Sequence, residues 1–138
     1  MPAALTNSPN PHPITILVVD DDQDILRFLE TVLTGAGYRV LAADNGRKAI
    51  EVHQTCGEPI HLLLTDVIMP DLTGPVVAER LRSRQPDLSV LFISGCHDAD
   101  LLQRFVTRKG FALLPKPFTM ASLLRGVEDA MRPFTFAA

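Results

Sequence analysis

Ile14-Thr15-Ile16-Leu17-Val18-Val19-Asp20-Asp21-Asp22 is the stretch that decides the fold. Five of its first six residues are apolar, so both sides of the chain avoid water, and three carboxylates follow at once. A strand with one wet face alternates apolar and polar residues; a strand apolar on both sides belongs to a sheet covered on both faces, as parallel sheets are. The pattern recurs on working outward. Leu62-Leu63-Leu64-Thr65 stops at Asp66, Val90-Leu91-Phe92-Ile93 stops at Ser94-Gly95, and Phe111-Ala112-Leu113-Leu114-Pro115 stops at Lys116-Pro117-Phe118. Helical stretches separate these runs. Parallel strands joined by helices deliver their C-terminal ends to one edge, where open α/β sheets keep their sites. Carboxylates, a hydroxyl and an ammonium are therefore expected to converge.

Strands are expected at 14–19, 39–43, 61–65, 89–93 and 111–114, the second more mixed and suited to an edge. The helices follow from period and punctuation. Residues 23–35 carry the stripe Ile25, Phe28, Leu29, Val32 and Leu33, ended by Gly35 and Gly37. Residues 46–55 follow an N-cap at Asp44 or Asn45 and bury Ala49 and Val52. Residues 75–84 open with Pro75, tolerated in a first turn. Residues 98–109 carry Leu101, Leu102, Phe105 and Val106, and residues 119–131 carry Leu123, Leu124, Val127 and Met131 behind a cap at Thr119. Right-handed crossovers in a chain of this length give an α/β, three-layer (βα)5 doubly wound parallel sheet, strand order 2-1-3-4-5. The switch point then lies between strands one and three, which sets Asp20 and Asp21 beside Asp66.

Composition narrows the function classes. The 138 residues, 46% of them hydrophobic and 21% charged, suit one soluble domain with a real core. A proline-rich tail or linker is expected over 1–13, the domain over 14–132 and a second tail over 133–138. The formal charge of −3 offers no nucleic-acid footprint, and Arg80, Arg82 and Arg84 are read as a solvated helix face. Cys56 and Cys96 form no metal or redox pattern and are expected unpaired in a reducing cytoplasm. His61 and His97 have no ligand partners at metal spacing. No apolar run is long enough to span a bilayer, and the start lacks a signal peptide's pattern.

Asp20, Asp21 and Asp66 would repel one another, so protons or a cation must join them. A hard divalent cation with oxygen ligands fits, and Mg²⁺ is the usual choice where phosphate is handled. Capping of the following helix is the bland alternative, and it is preferred for Asp22 and Asp24, which favour the helix dipole. Lys116 ends an apolar strand, an awkward place for an ammonium without anionic company. An ion pair to Asp66 supplies that company, with a snorkelling lysine as the alternative. Ser94 is either a turn residue or a donor to a phosphoryl oxygen. The convergence points to phosphoryl chemistry on an aspartate.

Ile16-Leu17-Val18-Val19-Asp20-Asp21-Asp22, Leu63-Leu64-Thr65-Asp66-Val67-Ile68-Met69-Pro70-Asp71-Leu72-Thr73-Gly74, Phe92-Ile93-Ser94-Gly95 and Pro115-Lys116-Pro117-Phe118, in this order and spacing, resemble the receiver domain of two-component response regulators over roughly 14–131. The resemblance implies a flavodoxin-like fold and a phosphoacceptor at Asp66. It implies Mg²⁺ held by Asp20, Asp21, Asp66 and the carbonyl of Ile68, phosphoryl contacts from Ser94 and Lys116, and a cis Lys116–Pro117 peptide. The donor would be a phosphohistidine on a histidine kinase or histidine phosphotransfer domain, docked on the first helix, with a weak dimer allowed for. The protein would be a cytoplasmic signalling receiver rather than an enzyme, promoting only its own phosphorylation and dephosphorylation. The proline-rich start, the loop Asp71-Leu72-Thr73-Gly74-Pro75 and Ser94-Gly95 resemble the C-terminal receivers of hybrid sensor histidine kinases. No effector domain is expected.

Two positions depart from the family pattern. The aromatic switch three residues before the lysine is here Leu113, and Phe111, on the same strand face, is not expected to replace it, so coupling to the outer face of strands four and five is expected to be weak or built differently. Positions two beyond Asp66 and two beyond Ser94 are Ile68 and Cys96, neither able to orient a hydrolytic water, which implies slow dephosphorylation. A degenerate receiver that only binds proteins is the rival reading, and the intact site residues oppose it. A haloacid-dehalogenase-type phosphatase is set aside because Asp20-Asp21-Asp22-Gln23-Asp24 lacks the motif's fifth residue. A flavodoxin fails because no phosphate loop follows strand one.

Overall fold

Thr15–Val19 forms strand β1, buried at all five positions, as a run apolar on both sides requires. The computed structural model describes residues 13–95 and 111–131. Within them β1 is followed by α1 (Gln23–Gly35), β2 (Arg39–Ala43), α2 (Gly46–Thr55), β3 (Leu62–Asp66), α3 (Gly74–Arg84), β4 (Ser89–Ser94), β5 (Ala112–Pro115) and α4 (Met120–Ala130). All strand pairs are parallel, in the order β2-β1-β3-β4-β5. The architecture is the expected α/β doubly wound sheet, with strand bounds within a residue or so of those read from the chain. The expected helix 98–109 lies outside the described residues, as do residues 1–12 and 132–138.

The two-residue period of a strand divides the core into two layers. Leu17, Val19, Leu63 and Phe92 face α2 and α3, where they meet Ala49, Val77, Ala78 and Leu81. Ile16, Val18, Leu62, Leu64, Leu91 and Ile93 face the other way, onto Leu26, Leu29 and Leu33 of α1 and Leu123 and Val127 of α4. Each fully buried leucine of these layers contributes roughly 1.5–3 kcal/mol of transfer free energy, before chain entropy is counted. The sheet is held from both faces, and its C-terminal edge stays open for loops.

Capping sets where the helices begin. Asp22 caps α1, its carboxylate accepting the Asp24 and Ile25 amides at 2.9 and 3.2 Å. Asn45 caps α2 through the Lys48 amide. Thr73 caps α3, so that helix starts one residue before Pro75. Thr119 and Ser122 form a reciprocal capping box on α4.

Two sequence expectations are corrected. The buried stripe of α1 runs through Leu26, Leu29 and Leu33 with Ile25 and Val32 partly buried beside it, so of the expected stripe only Phe28, which is exposed, falls outside. At 3.6 residues per turn Leu26 continues the 29–33 line, whereas Phe28 falls away from it. Arg82 is not part of a solvated face. Its Nε donates to the Leu88 carbonyl at 2.9 Å, and its guanidinium lies 4.5 Å from the Phe111 ring centre. Residues 80, 82 and 84 step around a helix rather than along one side, so the middle one turns inward.

Candidate metal centre

β1 and β3 are neighbours, with Val19 opposite Thr65. The residues that leave those strands therefore emerge side by side. Asp20 follows β1 with its backbone amide on the Ala43 carbonyl at 3.3 Å and is fully buried. Asp66 ends β3, opposite Ile93 of β4, and is also buried. Asp21 is exposed at the rim. Carboxylate oxygens of the three lie within 4.8 Å of one another, the convergence expected from the strand order.

Lys116 follows β5, whose Pro115 is opposite Ser94, and its amide donates to the Ser94 carbonyl at 2.8 Å. Its side chain crosses the open edge, so that Nζ sits 3.3 Å from Asp66 Oδ2 and 3.8 Å from Asp20 Oδ2. Lys116 is thus an inward ion-pair partner, not a snorkelling surface lysine. The Lys116–Pro117 peptide is cis, as expected. Ser94 is buried at the end of β4, and its hydroxyl donates to the Gly95 carbonyl at 2.8 Å.

The electrostatics are those of an acidic pocket in which three carboxylates cluster and Lys116 pairs with two of them. Burial, then the neighbouring Asp66 and Asp21 charges, push Asp20 up to about 6, against relief from the Asp22 amide and Lys116. Burial likewise raises Asp66, while Lys116 and the backbone N–H groups of Val67 and Ile68 pull it down. Asp20 Oδ1 accepts the Asp22 amide at 2.9 Å, but the buried Oδ2 has no hydrogen-bond partner among the described residues. Three carboxylates with oxygens within 4.8 Å of one another, one of them bearing this buried oxygen without a hydrogen bond, are the donor set of a hard divalent cation. The residues present fit Mg²⁺.

The loop after Asp66 is pinned at both its ends. The Val67 amide donates to Ile93 at 3.0 Å, and the Gly74 amide donates to Val67 at 2.7 Å. A Cβ at Gly74 would collide with the backbone carbonyl of Asp66, so only glycine lets α3 start this close to the site. Ile68, with 63% of its surface exposed, is at the mouth. A groove of about 610 Å³ runs along α1, lined by Asp24, Ile25, Phe28, Gly95, Lys116, Pro117 and Phe118, the two phenylalanine ring centres 6.0 Å apart.

The other described candidates have contacts of their own. His61 Nδ1 accepts the Thr15 amide at 3.0 Å at the far end of the sheet. Cys56 is a free, half-buried thiol, and Cys96 and His97 lie outside the described residues. Phe111 is buried edge-on against Phe92, ring centres 5.3 Å apart, and Leu113 packs on the same core layer. Sequence reasoning missed Asp71. Its oxygens accept the Gly46 and Arg47 amides at 3.0 and 2.9 Å. No local pattern could have shown this, because donors and acceptor are 24 and 25 residues apart.

A family model described as the response regulator receiver domain matches residues 16–128. The chain is 39% identical over 116 residues to the response regulator receiver protein CpdR of Brucella abortus, covering 84% of this chain and 95% of that one. It is 29% identical over 117 residues to the sensor kinase CckA of the same organism, 85% of this chain but only 12% of CckA. Among solved structures, a response regulator receiver domain protein from Clostridium thermocellum superposes with a TM-score of 0.81 at 25% identity, covering 91% of this chain and 99% of that one. The receiver domain of the hybrid histidine kinase CckA superposes with a TM-score of 0.71 at 28% identity, covering 85% and 98%. A strand order, an acidic edge and a family match over most of the chain agree: this protein belongs to the response regulator receiver domains of two-component signalling.

Proposed function

We propose that the domain accepts a phosphoryl group on Asp66 from a phosphohistidine of a histidine kinase or histidine phosphotransfer domain, and that Asp20, Asp21, Asp66 and the Ile68 carbonyl hold the Mg²⁺ this requires. The observation that carries the reading is the buried Asp20–Asp66 pair, with its orphaned oxygen and the Lys116 ammonium 3.3 Å from the acceptor carboxylate. The intact constellation opposes the rival reading of a binding module with an unused site. The functional unit is residues 14–132, working in the cytoplasm.

When bound, Mg²⁺ supplies positive charge that neutralises the phosphoryl oxygens and the crowded carboxylates. The chain's own residues do the rest. Burial raises the Asp66 carboxyl, and Lys116 with the Val67 and Ile68 amides opposes that rise; in its ionised form an oxygen attacks phosphorus as the histidine nitrogen leaves in line. Lys116 holds charge beside the transferred group. The Ser94 hydroxyl, now spent on the Gly95 carbonyl 2.8 Å away, is free to exchange that acceptor for a phosphoryl oxygen, which is how the end of β4 would sense the modification. The groove of Phe28 and Phe118 gives the donor helix an apolar seat beside the acceptor.

Phosphoramidate with MgCl₂ tests the reading. Wild-type protein gains one phosphoryl group, and chelator or Asp66→Asn abolishes the gain; modification that survives both would overturn it. Ile68 and Cys96 cannot orient a hydrolytic water, so the phosphorylated form is expected to persist for minutes or longer, and decay within seconds would contradict that point.

A further inference from the structure

Asp71 lies outside the acidic cluster, exposed on the loop between β3 and α3, yet both its oxygens are engaged by another element. Oδ1 accepts the Gly46 amide at 3.0 Å and Oδ2 the Arg47 amide at 2.9 Å. These are first-turn donors of α2, a helix already capped by Asn45 through the Lys48 amide. The Arg47 amide foremost, with the amides of Gly46, Leu72 and Asp71 itself, holds the Asp71 carboxyl below the ordinary range. What the carboxylate fastens is the loop. Residues 67–73 leave β3 at Val67, bonded to Ile93, and return at Gly74, bonded to Val67. Leu72 lies against Gly46 so closely that a Cβ there would come within 2.8 Å of Leu72 Cβ. Between these points Ile68 carries an N–H that faces Asp66.

We propose that Asp71 is a positioning residue of the metal centre: by tying the loop to the first turn of α2, it keeps the Ile68 backbone aligned with Asp20, Asp21 and Asp66. The inference rests on the Mg²⁺ reading above and deepens it, since that reading makes the Ile68 carbonyl a ligand. Partners that orient a ligand without touching the metal change affinity about 10- to 100-fold, and a tether three residues away belongs at or just below the low end. The competing account is a second helix cap that serves stability alone. It predicts that Asp71 and Asn45 behave alike.

The test is a MgCl₂ titration followed by backbone amide shifts, with urea unfolding of each protein. Asp71→Ala is expected to weaken Mg²⁺ binding about three- to tenfold, toward the low end for such partners. Asp71→Asn, which retains one acceptor, recovers part of the loss. Asn45→Ala loses comparable stability but binds Mg²⁺ like the wild type. Wild-type affinity in Asp71→Ala, or an equal weakening in Asn45→Ala, would overturn the proposal. If Asp71→Ala does not fold, Asp71→Asn against Asn45→Ala decides on the same terms. A wild-type protein that takes up no Mg²⁺ would instead overturn the reading of the site and this inference with it, a result distinct from Asp71 variants that bind normally.

Discussion

Asp20 has a site imposed on it by its neighbours. It follows four fully buried apolar residues, so its carboxylate enters a place water cannot reach, and there it meets Asp66. In the ion-free protein it keeps its proton up to about pH 6, whereas in the unfolded chain it ionises near 3.8. Across that window the folded state binds the proton more tightly. By linkage its contribution to stability is greatest below the window and is lost as pH rises through about 6. Thermal unfolding in chelator is therefore expected to show wild type losing stability relative to Asp20→Asn as pH rises from about 4 to about 6. A difference running the other way would contradict the account. On the proposed Mg²⁺ reading the ion competes with the same proton, so its affinity is expected to rise over the same range. The meeting of Asp20, Asp21, Asp66 and Lys116 was legible in the sequence, because each stands at the end of an apolar run. The strength of the Asp20 perturbation was not, since it depends on how completely the strand ends are covered.

At the scale of elements, the loop from Val67 to Thr73 is where packing and chemistry meet. Its length is fixed by the closure of Gly74 on Val67, and its height by the absence of a side chain at Gly74. Gly74→Ala is expected to cost about 1–3 kcal/mol, the usual penalty of overpacking, and to reduce phosphorylation more than that loss explains, because the yielding atom is the Asp66 carbonyl. Urea unfolding beside phosphoramidate labelling checks both. An alanine variant with wild-type stability would mean that the backbone gives way freely. Strand five supplies a second expectation. Leu113 replaces the usual aromatic, and Phe111 is held between Phe92 and Arg82. A map of amide shifts with a phosphoryl mimic is expected to show no aromatic flip on the outer face of β4 and β5; a large change centred on one would contradict this. Element types were legible from period and caps. The inward turn of Arg82 and the Asp71 tether were not, because both depend on partners brought together only by the fold.

The whole molecule is a sheet with two independent core layers. Val77 belongs to the layer under α3 and Val127 to the layer under α4. Val77→Ala and Val127→Ala are each expected to cost about 1–3 kcal/mol, and the double variant to cost their sum within about 0.5 kcal/mol, as separated sites do. A larger deviation in urea unfolding would mean that the layers communicate through the sheet. The mixed second run marked one edge, but β5 is the other edge although its run is apolar, so the order was legible only through the crossover and switch-point rules. That order is what lets residues 46 positions apart share a pocket, and no single element could have announced it.

The most direct measurement is to locate the phosphoryl group. Wild-type protein is treated with phosphoramidate with and without Mg²⁺, the acyl phosphate is trapped by borohydride reduction, and the peptides are mapped by mass spectrometry. The account predicts one modified position, Asp66, and only when Mg²⁺ is present. Modification at Asp20 or Asp21, or at Asp66 without the metal, would contradict it.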